Sequence, residues 1–334
     1  FFKGAQWTPD GQCLVTSAED WVLRTFVLSP DILTPKTEDE TGLIPQINPW
    51  TSQQRPQLIR DFAVYPGFNL QDLNTTLVLS STNDQPIRLG NVMDPNQSTY
   101  AHYPLIWATT EEYIGPTALT FTSDGNRFIT GSKNLIAAFD VSRPNEQPIM
   151  QYRTDLSGAS VRTKGVVSSF AISSQSTLAA GTFNRAVIIY GDEGFASEPM
   201  ATFSLATKLA QPNPLGSGNG VSSMAWSPCG RYLYVSERKS ECVHLYDIRG
   251  LGRRLASLVR PAETAQQTNV DVVETMAGYE IWAGGSDGMV RMWENPSLKE
   301  GRIEADTCFE AHDGSVTSTI VHPCGSILAT CAAQ

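Results

Sequence analysis

The sequence predicts an all-β fold: a β-propeller of about seven four-stranded blades, the last incomplete, in one domain over residues 1–334. Three observations predict it. First, a unit recurs roughly every 40–50 residues. In it an alternating apolar run, a polar turn with Gly, a second alternating run and a third run ending in an aromatic residue follow one another. Second, that aromatic often precedes an acid, as in Phe139-Asp140, Tyr246-Asp247 and Trp293-Glu294. This is the W-D-type ending of a WD repeat. Third, one turn pattern returns at Thr8-Pro9-Asp10-Gly11, Ser123-Asp124-Gly125, Ser227-Pro228-Cys229-Gly230 and His322-Pro323-Cys324-Gly325. Gly there permits the positive φ of a tight hairpin.

Taken in order, the copies start at Ala5, Ala118, Ser168, Ser222, Val270 and His312, with a more divergent one between Ile59 and Val92. Period-2 alternation gives each strand two distinct faces, and a lone four-stranded sheet cannot bury both. Stacking the sheets around an axis buries them and leaves few free edges. Residues 34–57, rich in Pro, Thr, Gln and acid, read as a loop insertion carrying at most one edge strand. Residues 211–220 (QPNPLGSGNG) read as a flexible loop between blades. After His312 only two strands of a seventh unit remain. A closing strand is expected from flanking sequence outside the chain, or else imperfect closure of the ring. Phe1 is likewise read as not the natural start, and no signal peptide is visible.

Composition narrows the function classes. Hydrophobic residues make up 41%, enough for a sizeable core, and charged residues only 17%, too few for a coiled coil or a largely disordered chain. No apolar run reaches the ~18 residues of a membrane span. The net charge is −10, so the average field repels nucleic acid and anionic membranes, and any nucleic-acid role needs a local basic patch. Six cysteines without a CxxC pair suit a reduced, intracellular compartment.

Catalytic motifs are weak. The four histidines form no H-E-x-x-H and no spaced Cys/His set, so no metal is expected. Gly216–Gly220 lacks the Lys-Ser/Thr of a P-loop, and no G-x-S-x-G occurs. No enzyme activity and no cofactor are expected. His312 reads as a structural His bonding a strand hydroxyl, with Thr330 as its candidate partner. Asp287 and Asp20 read as structural turn aspartates, and Arg249 as a brace at a strand end.

The fold gives the basic residues a common place. Inter-blade links and second-to-third-strand turns share one rim, here the top. Lys133, Arg185, Arg238 and Lys239 fall on top turns of three consecutive blades. Arg162 and Lys164 fall on the link between two of them, and Arg260 lies close to the same rim. Such an arc could neutralise several phosphates and make affinity strongly salt-dependent, with Phe183 as a candidate platform for unpaired bases. The bland alternative is a set of solvated loop charges. Arg253-Arg254 fall on the opposite rim and are excluded.

The first blade, FFKGAQWTPDGQCLVTSAEDWVLRTFVLSPDI, resembles the opening blade of the telomerase Cajal body WD-repeat proteins. The stretch PIRLGNVMDPNQSTYAHYPLIWATTEEYIGPTALTFTSDGNRFITGSKNLIAAFDVSRP is similar to the family in turn, and VVSSFAISSQSTLAAGTFNRAVIIY and WAGGSDGMVRMWEN fit its fourth and sixth units. The likeness covers nearly the whole chain. Departures are Leu89-Gly90 in place of Trp-Asp and Cys in place of Asp in two turns, the marks of a divergent member. The resemblance implies a nuclear protein that binds small noncoding RNAs of the box H/ACA Cajal-body class, telomerase RNA among them in animals. It also implies ribonucleoprotein proteins as partners and a role in assembly or localisation, with no membrane and no small-molecule substrate. The alternative is a protein–protein scaffold of a nuclear complex, for example in spliceosomal ribonucleoprotein biogenesis, because fold alone does not decide function.

Overall fold

The computed structural model describes residues 1–29, 32, 46–94, 96, 100–107, 109–155, 161, 163–205, 218–250 and 252–333. Among them no α-helix occurs. Seven antiparallel sheets follow one another along the chain. Blade 1 holds β1 (Phe2–Trp7), β2 (Cys13–Ala18), β3 (Val22–Val27) and β4 (Thr51–Gln54). Blade 2 holds β5 (Asp61–Val64), β6 (Leu77–Ser81), β7 (Ile87–Asn91) and β8 (Ala101–Tyr103). Blade 3 holds β9 (Ala118–Phe121), β10 (Arg127–Ser132), β11 (Leu135–Asp140) and β12 (Met150–Arg153). Blade 4 holds β13 (Val167–Ile172), β14 (Leu178–Thr182), β15 (Ala186–Tyr190) and β16 (Pro199–Ser204). Blade 5 holds β17 (Val221–Trp226), β18 (Tyr232–Glu237), β19 (Cys242–Asp247) and β20 (Arg253–Val259).

Blade 6 holds β21 (Asp271–Thr275), β22 (Gly278–Gly284), β23 (Met289–Glu294) and β25 (Thr307–Glu310). Between its last two strands the chain crosses back to blade 5, where β24 (Gly301–Ile303) pairs in parallel with β20. Sheet 7 has two strands, β26 (Ser315–Val321) and β27 (Leu328–Ala333). The propeller thus has six full blades and a two-stranded seventh. β4 lies inside the stretch read as a loop insertion and forms the outer edge of blade 1.

The core is a ring of inter-sheet layers. Ala63, Leu79 and Leu89 of blade 2 pack on Phe121, Phe128 and Phe139 of blade 3. Ile129 and Ile136 meet Val167, Ala180 and Ile188 between blades 3 and 4. Blade 4 meets blade 5 through Ala179, Val187, Val221 and Trp226. The middle strand β15 is buried at all five positions, which explains its unbroken apolar run, Ala-Val-Ile-Ile-Tyr. Gly11, Gly125, Gly230 and Gly325 all lie at φ between 67° and 76°, as the shared turn pattern requires.

Blade 7 meets blade 1 and closes the ring. Trp7 Nε1 donates to the Ile320 carbonyl at 3.2 Å, and Thr317 Oγ1 to the Phe2 carbonyl at 3.2 Å. The first strands of the sheets line a central cavity of about 460 Å³. Side chains on these strands clamp neighbouring backbones. Gln6 bonds Phe62 O and Val64 N, and the Asp61 carboxylate accepts Leu119 N–H at 2.6 Å. Asn269 reaches Thr319, and Asp271 accepts Val321 N–H at 2.7 Å. Burial raises the Asp61 carboxyl to about 7 and that of Asp271 to about 6.

Candidate nucleic-acid interface

The top rim is built from second-to-third-strand turns and from links between blades. The turns demand a left-handed residue. Asn134, Arg185 and Lys239 occupy it at φ 55°, 62° and 52°, and of the three only the Lys239 side chain is exposed. Hydrogen bonds join turns and links into one ledge over blades 3 to 5. Asn134 N–H donates to Gly165 O at 2.8 Å, and Asn134 Oδ1 accepts Gly165 N–H at 2.6 Å. Asn184 donates to Lys164 O, and Phe183 N–H to Val166 O at 3.0 Å. Asn219 N–H donates to Arg238 O at 2.7 Å, Arg238 N–H to Gly220 O at 3.0 Å, and Lys239 N–H to Thr264 O at 3.0 Å.

On this ledge Lys133, Lys164 and Lys239 are exposed, and no side-chain ion pair engages them among the described residues. Arg238 is half-buried with its guanidinium 4.5 Å from the centroid of the Phe183 ring, a cation–π stack. Burial holds it below the usual arginine range, and its Nε has no hydrogen-bond partner. Phe183 is therefore already covered by a cation and offers no bare ring face on that side.

Two of the arginines assigned to the arc do other work. Arg260 is fully buried between blades 5 and 6, donating to Gly284 O at 3.0 Å and Ser236 Oγ at 2.8 Å. Burial pulls it down to about 10. It braces the seam and offers no charge to a ligand. Arg185 is held by Glu237, itself buried, at 2.7 Å and 3.1 Å, and also donates to Leu205 O. A buried carboxylate needs such a partner, so this charge is committed. Arg162 lies outside the described residues.

Two cations absent from the sequence reading stand near the channel mouth. Lys3, early on β1, donates to Ile59 O at 3.3 Å, and Arg60 donates to Asn83. Burial pulls Lys3 below the usual lysine range; Arg238 and Arg60 push the same way, against Glu19. The basic field therefore runs from the ledge toward the axis. On blades 1 and 6 the rim differs. Asp20 pairs with Arg24 and Asp287 with Arg291, four residues on, and each also accepts a turn N–H, so these acids are neutralised within their own hairpins.

Other polar clusters are structural. His312 Nε2 lies 2.8 Å from Thr330 Oγ1, the expected pair, and Arg249 forks onto Asp247 beside Tyr232. Ser257, His244 and Glu237 line up as hydroxyl, imidazole and carboxylate, at 3.1 Å and 3.9 Å. All three are buried, and burial drops His244 to about 3. Arg185 already occupies the carboxylate, so the alignment has neither a charged base nor an open approach. Among the described residues no group of three His, Cys, Asp or Glu is placed to hold a metal ion, and no helix is long and apolar enough to cross a membrane.

Comparison with known proteins agrees with the geometry. The WD domain, G-beta repeat, family matches residues 212–247 and 304–333. The "Guanine nucleotide-binding protein negative regulator 1" of Schizosaccharomyces pombe is 30% identical over 308 residues, covering 90% of this chain and 72% of that protein. "Telomerase Cajal body protein 1" of Bos taurus is 25% identical over 337 residues, covering 100% of this chain. The Drosophila melanogaster homolog of that protein is 22% identical over 349 residues. The chain spans 58% of the bovine protein and 57% of the fly one. By its repeats and by this identity, the chain belongs to the WD-repeat family that includes the Schizosaccharomyces pombe regulator and telomerase Cajal body protein 1.

Proposed function

We propose that this propeller binds small noncoding RNA of the box H/ACA Cajal-body class on its top rim, assists ribonucleoprotein assembly or localisation in the nucleus, and has no catalytic activity of its own. The observation that carries the reading is the rigid ledge of Lys133, Lys164, Arg238 and Lys239 on a chain of net charge −10. Lysines contact phosphates, and the Arg238 plane over Phe183 receives a splayed base. The name of the Cajal-body relatives supports the nuclear compartment, and the RNA class rests on the resemblance of the sequence to that family. A second reading, a protein scaffold on the same rim, draws on the name of the Schizosaccharomyces pombe relative.

Filter binding against H/ACA RNA across salt tests the proposal. Three lysine-contacted phosphates on a single strand predict a log–log slope of about −2, at ~0.7 per contact. Lys133→Glu with Lys239→Glu should flatten the slope and weaken binding at least about tenfold, with melting unchanged because exposed charges contribute little. Absent or salt-insensitive binding would leave the scaffold.

A further inference from the structure

The turns after the first strand of each blade form an internal series. In blade 1 Thr8 Oγ1 donates to Asp10 Oδ1 at 2.6 Å, and Gln12 N–H donates to the same oxygen at 3.1 Å. Blade 3 repeats this: Thr122 Oγ1 at 2.6 Å and Asn126 N–H at 3.1 Å converge on Asp124 Oδ1. These donors, Thr122 first, hold Asp124 below the usual carboxylate range. The turn is thus a cradle for an anion, with one donor two residues before it and one two residues after.

Blades 5 and 7 put cysteine in the anion's place, and both thiols are exposed. At Cys229 the preceding group is a hydroxyl, Ser227 Oγ, 3.3 Å from the sulfur. At Cys324 it is an imidazole. His322 Nδ1 lies 2.8 Å from Cys324 Sγ, and Ser326 Oγ lies 2.9 Å from that sulfur. His322 Nε2 is 2.7 Å from Gly11 O, across the junction with blade 1. A carbonyl only accepts, so Nε2 carries the proton and Nδ1 presents its lone pair. That lone pair faces the Cys324 N–H at 3.0 Å and the thiol. The Trp7 ring, edge-on at 4.9 Å, fixes the imidazole plane. Asp10 on the facing turn is occupied by Thr8, Gln12 and Leu70, which leaves His322 as the titratable partner of the sulfur. Nucleophile, base and orienting group therefore stand in order on an exposed turn.

We propose that Cys324 is a reactive thiol, a site of covalent modification by small soft electrophiles, with His322 as its base. The thiol proton passes to His322 Nδ1. The sulfur then bonds the electrophilic carbon as the leaving group departs, which is iodide in the case of iodoacetamide, and the imidazolium returns its proton to water. The Ser326 hydroxyl and N–H, then His322, pull the thiol to about 7.

Pulsed iodoacetamide labelling of the folded chain, read at each cysteine by mass spectrometry, tests this. A thiolate fraction near one half, offset by the lower nucleophilicity of a weaker base, predicts Cys324 about threefold ahead of an ordinary exposed thiol at pH 7. The lead over Cys229 should widen to about fivefold at pH 6 and reverse at pH 9. Ser326→Ala should move the Cys324 profile to higher pH, and His322→Asn should erase the lead. Buried Cys13, Cys242 and Cys331 report folding; if they label in the His322 variant, Ser326→Ala and the wild-type profile decide. Equal Cys324 and Cys229 rates at every pH would overturn the proposal, as would a profile unmoved by Ser326→Ala.

Discussion

The seams flanking blade 4 and the seam between blades 7 and 1 share their polar ties and differ in their apolar layer. Both kinds carry a hydroxyl-to-carbonyl link: Thr117 to Val167 O at 2.6 Å and Ser168 to Val221 O at 2.7 Å on one side, Thr317 to Phe2 O on the other. Beyond that link they diverge. Around blade 4 the sheets touch through glycine. A Cβ on Gly131 would come within 2.6 Å of Val167 Cγ1, and one on Gly181 within 2.5 Å of Val221 Cγ1. Toward blade 7 the apolar layer of blade 1 shrinks to Ala5, Ile320 and Cys331, rimmed by Trp7, whose indole bonds Ile320 O just as Trp226 Nε1 bonds Ala171 O at 3.1 Å beside blade 4. One repeat thus supports seams filled to the limit of their volume and one seam with a thin apolar layer.

That contrast fixes the order of three mutational effects. Gly181→Val overfills a dry seam and should cost about 3 kcal/mol, read as a lower denaturation midpoint. Asp61, which ties blade 2 to blade 3, tests a polar clamp through pH. Its folded carboxyl titrates at about 7, above the unfolded value near 4, so its contribution is complete below about pH 4 and is lost as pH rises to about 7. Wild-type stability relative to Asp61→Asn should fall across that window by at most about 1.4 kcal/mol per pH unit. Thr317→Val removes one hydrogen bond at constant shape and should cost about 1 kcal/mol. If Thr317→Val proved as damaging as Gly181→Val, the two kinds of seam would be one, and an Asp61 difference flat with pH would show that its carboxyl does not titrate as a clamp.

The repeat, the turns and the two-strand remnant of blade 7 were legible in the sequence because they rest on local periodicity and on glycine at positive φ. His312 with Thr330 and Arg249 with Asp247 were legible because the WD pattern fixes their spacing. The fates of Arg260 and Arg185 were not. Arg260 looks like a loop cation, yet its guanidinium turns inward to Ser236 and Gly284. Arg185 meets an acid 52 residues away in the next blade. Rim position is a property of the backbone, whereas availability depends on cross-blade partners that a linear pattern does not encode. Lys3 and Arg60 were missed for the complementary reason: in sequence they belong to two different blades, and only the ring brings them to one mouth.

The crossing of β24 onto β20 links two neighbouring sheets by threading. Blade 6 receives its outermost strand only after the chain has visited the edge of blade 5. Peeling that outer strand away pulls on its neighbour's margin, so these two blades should yield to proteases or to mechanical load as a pair. Blades 5 and 6 are thereby tied twice, through the apolar layer of Leu245, Leu258 and Ile281 and along their outer edges.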